Sequence, residues 1–177
     1  MEIPKQEILL VLRAQAGDRE ALNELFKLVQ EPLYRYIVSL VGSPALAEDI
    51  LQEVFILIYR KLNWLREPEL FRSWTYRIAT REAFRQLKRE RRWSDASADE
   101  SVLEDLPAPS RDSLTLEMIS QMVARVSPAS RAVIVLHYLH EMPLGEVADI
   151  LGLALGTVKS RLAYGLDCLR KLTTNQL

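Results

Sequence analysis

FRSWTYRIATREAFRQLKRERR, residues 71 to 92, read as one helix, sets Arg77, Arg81, Arg85, Lys88 and Arg92 along one stripe. Tyr76, Ala79, Ala83 and Leu87 then fall along the opposite one. A helix built this way docks its apolar side on a core and turns the other outward. Cations stacked at three- and four-residue intervals repel one another unless an anion lies between them, so the stripe suggests a polyanionic ligand. A solvated basic face is the alternative.

The 177 residues are 49% hydrophobic and 27% charged, a globular composition with room for one ordinary domain or two small ones. Six glycines, few alternating β-branched runs and long stretches of Leu, Ala, Glu, Arg and Gln make the expected fold class all-α. The opening MEIPKQEILLVLRAQAGD has no cationic region followed by a long apolar run. No window approaches the ~20 apolar residues of a membrane span. The expected location is therefore the cytoplasm, without membrane insertion. Cys168 has no second cysteine to pair with, and beside His137 and His140 it makes a poor metal set. No disulfide, metal or other cofactor is expected.

A net charge of −1 hides an uneven distribution. Residues 1–93 hold 16 basic and 13 acidic side chains, 94–113 hold 1 and 6, and 114–177 hold 6 and 5, so the balances are +3, −5 and +1. A protein that finds DNA by general electrostatics alone is usually far more basic, so any nucleic-acid affinity here is local, weak alone, or shared with a partner. SDASADESVLEDLPAPSRDS, residues 94–113, lacks helical periodicity and reads as a flexible acidic linker between helical domains at 1–93 and 114–177. It is either an inert tether or a negative segment that avoids the basic helix or occupies a basic channel in a partner.

In the first domain Asp18 caps a helix with Leu22, Leu25, Phe26, Val29, Leu33, Tyr36, Ile37 and Leu40 at core spacing. Ser43 and Pro44 then start a second helix, whose buried side is Leu46, Ala47, Ile50, Leu51, Val54, Phe55, Ile58 and Leu62. Asp49, Gln52, Glu53, Ile56 and Arg60 remain outside on one narrow strip, which is ordinary surface or a docking face. NWLREPEL, residues 63–70, is a short loop broken by Pro68, in which Trp64 is placed to plug the domain edge. Trp74 leans toward the arginine stripe, where an aromatic beside cations is a stacking platform for an unpaired base; a rim tryptophan of the core is the alternative.

In the second domain Leu114 to Val126 reads as a helix, and Ser127 with Pro128 starts another through Val133, Ile134, Leu136, His137 and Leu139. LGEVADILGLALGTVKSRLAYGLDCLRKL follows Pro143. It reads as a short helix over Val147, Ala148 and Leu151 that ends at Gly152, then a second helix from near Gly156 with a buried seam of Val158, Leu162, Leu166 and Leu169. Thr157, Ser160, Arg161 and Tyr164, with Lys159 beside them, take the opposite seam, as on the recognition helix of a helix-turn-helix. The same shape also serves as a mere packing unit.

AEDILQEVFILIYRKL (Ala47, Glu48, Asp49, Gln52, Glu53, Phe55), FRSWTYRIA and LGLALGTVKSRL together resemble the sigma factors of bacterial RNA polymerase. The likeness is to the compact extracytoplasmic-function type that keeps only regions two and four. It covers roughly residues 7–92 and 114–172. The resemblance implies that Asp49, Gln52, Glu53, Ile56 and Arg60 dock on the clamp helices of the large subunit of core RNA polymerase. It implies that the loop from Trp64 through Leu65 and Arg66 to Leu70 holds a base flipped from the melted non-template strand, and that Trp74, Arg77, Arg81, Arg85 and Lys88 grip the minus-ten element. Thr157, Lys159, Ser160, Arg161 and Tyr164 would read duplex promoter DNA at the minus-thirty-five element. Family members often have an anti-sigma partner, and such a factor carries no catalytic residue of its own. Thr75, Arg81, Arg85 and Ala154 depart from the family's usual Leu, Asn, Asp and capping residue. Two rivals stay open at this stage: a stand-alone helix-turn-helix regulator, and a helical adaptor that binds no DNA.

Overall fold

The computed structural model describes residues 5–96 and 123–174, and the side chains within them except at 91–96 and 172–174. The α-helices that lie wholly within these residues are α1 (Lys5–Gln15), α2 (Arg19–Val41), α3 (Pro44–Lys61), α4 (Phe71–Ala96), α5 (Pro128–Ile134), α6 (Leu144–Leu151) and α7 (Leu155–Thr174). Among the described residues there is no strand. Helix α4 continues through Ala96, so the first three residues of the segment expected to be the linker are helical. The rest of that segment lies outside the described residues, as does the helix expected over Leu114 to Val126 up to residue 122; of its last four residues, Val123 and Ala124 are helical and 125–126 turn away.

Helices α1 to α4 form the first unit. Asp18 starts α2 because its Oδ1 accepts from the Glu20 and Ala21 amides at 3.0 and 3.1 Å. The Ala21 amide, helped by Arg13, holds its carboxyl below the usual carboxylate range. Gly42 ends α2 in the left-handed region at φ 75°, returning its N–H to the Val38 carbonyl, and Ser43 then caps α3 through the Leu46 amide. Leu25, Leu33, Ile37, Leu40, Ile50, Val54 and Ile58 are fully enclosed, and each contributes about 1.5–3 kcal/mol by leaving water. Phe55 and Phe26, both expected in the core, are instead half-buried and stack on each other with centroids 4.7 Å apart. Helix α1 is not marked by any sequence motif; it docks through Glu7, Leu10 and Val11.

Helices α5 to α7 form the second unit. Ser127 caps α5 as expected, but beyond Ile134 the chain widens into a π-turn over Val135–Leu139. That turn rotates Leu139 out of the core position its spacing implied, and it is exposed. Helix α6 ends at Gly152, whose φ of 64° requires a residue that tolerates the left-handed region. Val158 is fully buried; Leu162, Leu166 and Leu169 are half-buried. At Gly165 a Cβ would sit 2.6 Å from Ile134 Cδ1, so this glycine sets how closely α7 approaches α5.

Polar contacts join the two units in both directions. From the second unit, the buried Arg131 donates to the Leu40 carbonyl at the end of α2 (2.6 Å), and also to the carbonyls of Val126 and Ala124. From the first, Arg77 Nη2 donates to the Asp149 carbonyl near the end of α6 (2.8 Å). Each guanidinium meets a helix C-terminus, where carbonyls lack partners and the dipole favours a cation. Tyr76 Oη and His140 Nδ1 share a third bond of 2.9 Å. Burial lowers His140 to about 4, so the ring in this contact is neutral.

Candidate nucleic-acid interface

The basic helix is oriented by its apolar side. Tyr76, Ala79 and Ala83 are buried and Leu87 half-buried, as the spacing requires. Two threonines add polar specificity to that side. Thr80 donates to the Tyr76 carbonyl (2.8 Å) and therefore accepts from Tyr36 Oη (2.7 Å), while Thr75 donates to the Arg72 carbonyl. Burial pushes the Tyr36 and Tyr76 hydroxyls far up, so both remain neutral.

On the other side Arg81, Arg85 and Lys88 are exposed, whereas Arg77 is half-buried. Arg85 pairs with Glu82 on the preceding turn. Arg81 and Lys88 have no ion-pair partner among the described residues. The repulsion expected along the stripe is therefore relieved at Arg77 by a carbonyl and at Arg85 by a carboxylate. Arg77, Thr80, Arg81 and Phe84 face the last turn of α6 across a cleft of about 450 Å³. The side chain of Arg92 lies outside the described part.

Ahead of α4, the loop is built of two single 3₁₀ turns, Leu62–Trp64 and Pro68–Leu70. Trp64 is 76% exposed and does not plug the domain edge. Arg66 and Leu70 are exposed as well, but Leu65 is buried, so its side chain anchors the loop and is not available to a ligand. Trp74 is half-buried and tilted on Phe71, with centroids 6.3 Å apart, which gives it a packing role beside any stacking one.

The strip on α3 is open along its whole length: Asp49, Gln52, Glu53, Ile56 and Arg60 are all exposed. Tyr59 joins it at 68% exposure, extending Ile56 into a two-residue apolar patch among polar neighbours. Its position three residues after Ile56 is the signal that sequence reading passed over. On α7, Thr157, Lys159, Ser160 and Tyr164 are exposed and Arg161 half-buried. Ser160 returns its hydroxyl to the Gly156 carbonyl at 3.0 Å, leaving the oxygen free to accept. Leu155 adds an exposed apolar group at the front of this helix.

No group of three or more metal-binding side chains occurs among the described residues, and no described helix is long and apolar enough to cross a membrane. Against known families, the Sigma-70 region 2 profile matches residues 25–93 and the Sigma-70, region 4 profile matches residues 122–171. The chain is 28% identical over 174 residues to the ECF RNA polymerase sigma factor SigW of Bacillus subtilis, covering 91% of this chain and 93% of that one. It is 30% identical over 175 residues to the ECF RNA polymerase sigma factor SigL of Mycobacterium tuberculosis, covering 93% and 94%. Among solved structures, the fold resembles the sigma factor RpoE of Bartonella quintana in complex with the anti-sigma factor NepR. The TM-score is 0.73 at 23% identity, over 86% of this chain and 96% of that one.

Proposed function

Because this chain belongs to the extracytoplasmic-function group of the sigma-70 family, we propose that its surfaces divide promoter recognition among three tasks. As a sigma factor it directs RNA polymerase to promoters and initiates transcription, with core polymerase and promoter DNA as its partners. A regulator built on the helix-turn-helix alone leaves residues 25–93 unexplained, and a DNA-free adaptor leaves residues 122–171 unexplained.

The α3 strip is assigned to core polymerase, with Ile56 and Tyr59 as the apolar centre and Asp49, Gln52, Glu53 and Arg60 as the polar rim. That arrangement matches how interface energy concentrates in a few enclosed apolar residues. Trp64, Arg66 and Leu70 are assigned to a base leaving the helix; Leu65 shapes the loop from beneath. Arg81, Arg85 and Lys88 take the phosphates of the opened strand, and Trp74 supports them. The observation that carries this reading is the exposure of Trp64 on a short loop leading directly into the basic helix. An indole in water gains ~1–3 kcal/mol by stacking a base, which offsets part of the unpairing cost.

Arg77 commits its Nη2 to the Asp149 carbonyl, so a bidentate grip on a phosphate that includes Nη2 requires releasing it. The bond to the carbonyl carries charge on the donor alone, whereas a phosphate adds the opposite charge and accepts two parallel N–H bonds, so the exchange is favourable once α6 withdraws. Docking both units on polymerase supplies that separation. Thr157, Lys159, Ser160, Arg161 and Tyr164 read duplex DNA upstream in the major groove. Nucleotidyl transfer belongs to the polymerase; this chain contributes binding only. We assign it to the bacterial cytoplasm, at the nucleoid when in holoenzyme, and extend to it an anti-sigma partner of the kind bound in the RpoE structure.

Purified chain added to core polymerase is expected to bind it and to start transcription at a defined site. The triple variant R81E/R85E/K88E should retain core binding and lose initiation. Failure of the wild type to bind core would remove the reading.

A further inference from the structure

We propose that α1 is the cradle of the base-capture loop and that Gln15 is its positioning residue, an inference that rests on the reading of that loop given above. Gln15 Nε2 donates to two carbonyls at once, Leu62 at 2.9 Å and Leu65 at 2.8 Å, which lie on either side of Trp64. One primary amide carries two N–H donors, and both are used on the loop. The Leu62 carbonyl, just past α3, also accepts the Leu65 amide at 3.0 Å, so Gln15 adds a second donor to the bond that closes the turn.

Between these two tied carbonyls the chain has a single 3₁₀ turn, and the buried Leu65 fixes its inner edge. Trp64 is left as the one large side chain directed outward from an otherwise fixed turn. The far side of the loop is held from the same helix, because Glu7 grips Arg72 just past Leu70 with N···O distances of 2.8 and 3.0 Å. Two α1 side chains two turns apart therefore pin both ends of the segment from Leu62 to Arg72.

A loop ordered before its ligand arrives loses less entropy on binding, so the ties set affinity for a flipped base without touching it. Loss of Gln15 should lower the benefit of the base itself and leave phosphate gripping by α4 unchanged. A residue that merely stabilised the fold would weaken both together.

The test uses holoenzyme assembled from core polymerase and the full chain. The probe is a labelled non-template-strand oligonucleotide from a promoter mapped by its transcription start, intact or with an abasic site at each minus-ten position in turn. Wild type should lose affinity at one abasic position. Gln15→Met, which keeps side-chain length without the donors, should bind the intact strand roughly threefold to tenfold more weakly. It should bind that abasic strand as wild type does, with core and upstream-duplex binding unaltered. Gln15→Glu, which points a carboxylate oxygen at the same carbonyls, should lose more, and Gln15→Asn, too short to reach both, serves if Gln15→Met does not fold. Equal weakening on intact and abasic strands, or none on either, overturns the proposal. Indifference of the wild type to every abasic site would instead remove the base-capture reading, and this inference with it.

Discussion

The ion pair between Glu7 and Arg72 is lopsided, and its two halves should not be equally costly to remove. Glu7 is 3% exposed while Arg72 is 42% exposed, and the guanidinium holds both carboxylate oxygens. Arg72→Ala strands a carboxylate away from water with no cation, and removing one partner of a buried pair costs about 3–5 kcal/mol. Taking the lower end, because the pair lies at the edge of the fold, the expected loss is about 3 kcal/mol. Glu7→Gln keeps the shape and one acceptor, and the guanidinium it leaves behind already reaches solvent, so the expected loss is about 1 kcal/mol. The difference of about 2 kcal/mol is a factor of roughly 30 in the folding equilibrium. Urea unfolding followed by circular dichroism reads it directly. In the double variant the glutamine relieves the stranded charge, so the losses should sum to clearly less than the two singles. Equal losses, a larger loss for Glu7→Gln, or strict additivity would refute the argument from exposure.

Trp64→Ala should change folding stability by no more than about 0.5 kcal/mol because the indole is mostly in water, yet weaken single-strand binding by holoenzyme by ~1–3 kcal/mol in a fluorescence titration. Ile56→Asp combined with Tyr59→Ala should leave the circular dichroism spectrum intact and reduce core-polymerase affinity by at least about 2 kcal/mol in an interference assay. His140 sits at about 4, below the ~6.5 of an unfolded histidine, so the unfolded chain binds more protons between those values. Stability is therefore full above about pH 6.5 and falls as the solution is acidified toward 4. By pH 5 the loss is at most about 2 kcal/mol, absent in His140→Phe, as urea unfolding across pH will show. Gly165→Leu drives a side chain into Ile134 and should destabilise the second unit by about 1–3 kcal/mol, measured as a lowered thermal midpoint.

Most of the fold is legible because capping residues and the 3.6 period agree with each other. Asp18, Ser43 with Pro44, and Ser127 with Pro128 start helices, and Gly152 ends one, as their chemistry dictates. Leu139 escaped because a π-turn has no signature in periodicity, and Phe26 and Phe55 because two helices share an aromatic pair at their rim. The site is less legible than the fold. Periodicity separates faces, so it finds the α3 strip and the α4 stripe, but it does not distinguish Leu65 beneath a loop from Trp64 above it. Gln15 and Glu7 act through partners 47 to 65 residues away, and nothing local in sequence marks such pairings. Arg77 illustrates the limit most directly: it has the spacing of a phosphate ligand, and in this structure its partner is the Asp149 carbonyl of the other unit.

The most direct measurement places 2-aminopurine in the minus-ten region of a mapped promoter duplex and follows its fluorescence with core polymerase alone, with this chain alone, and with both. Only the combination should raise the signal, with Trp64→Ala reducing the rise while upstream-duplex binding persists. Opening by core polymerase alone, or full opening by the Trp64→Ala holoenzyme, would contradict strand capture by this chain.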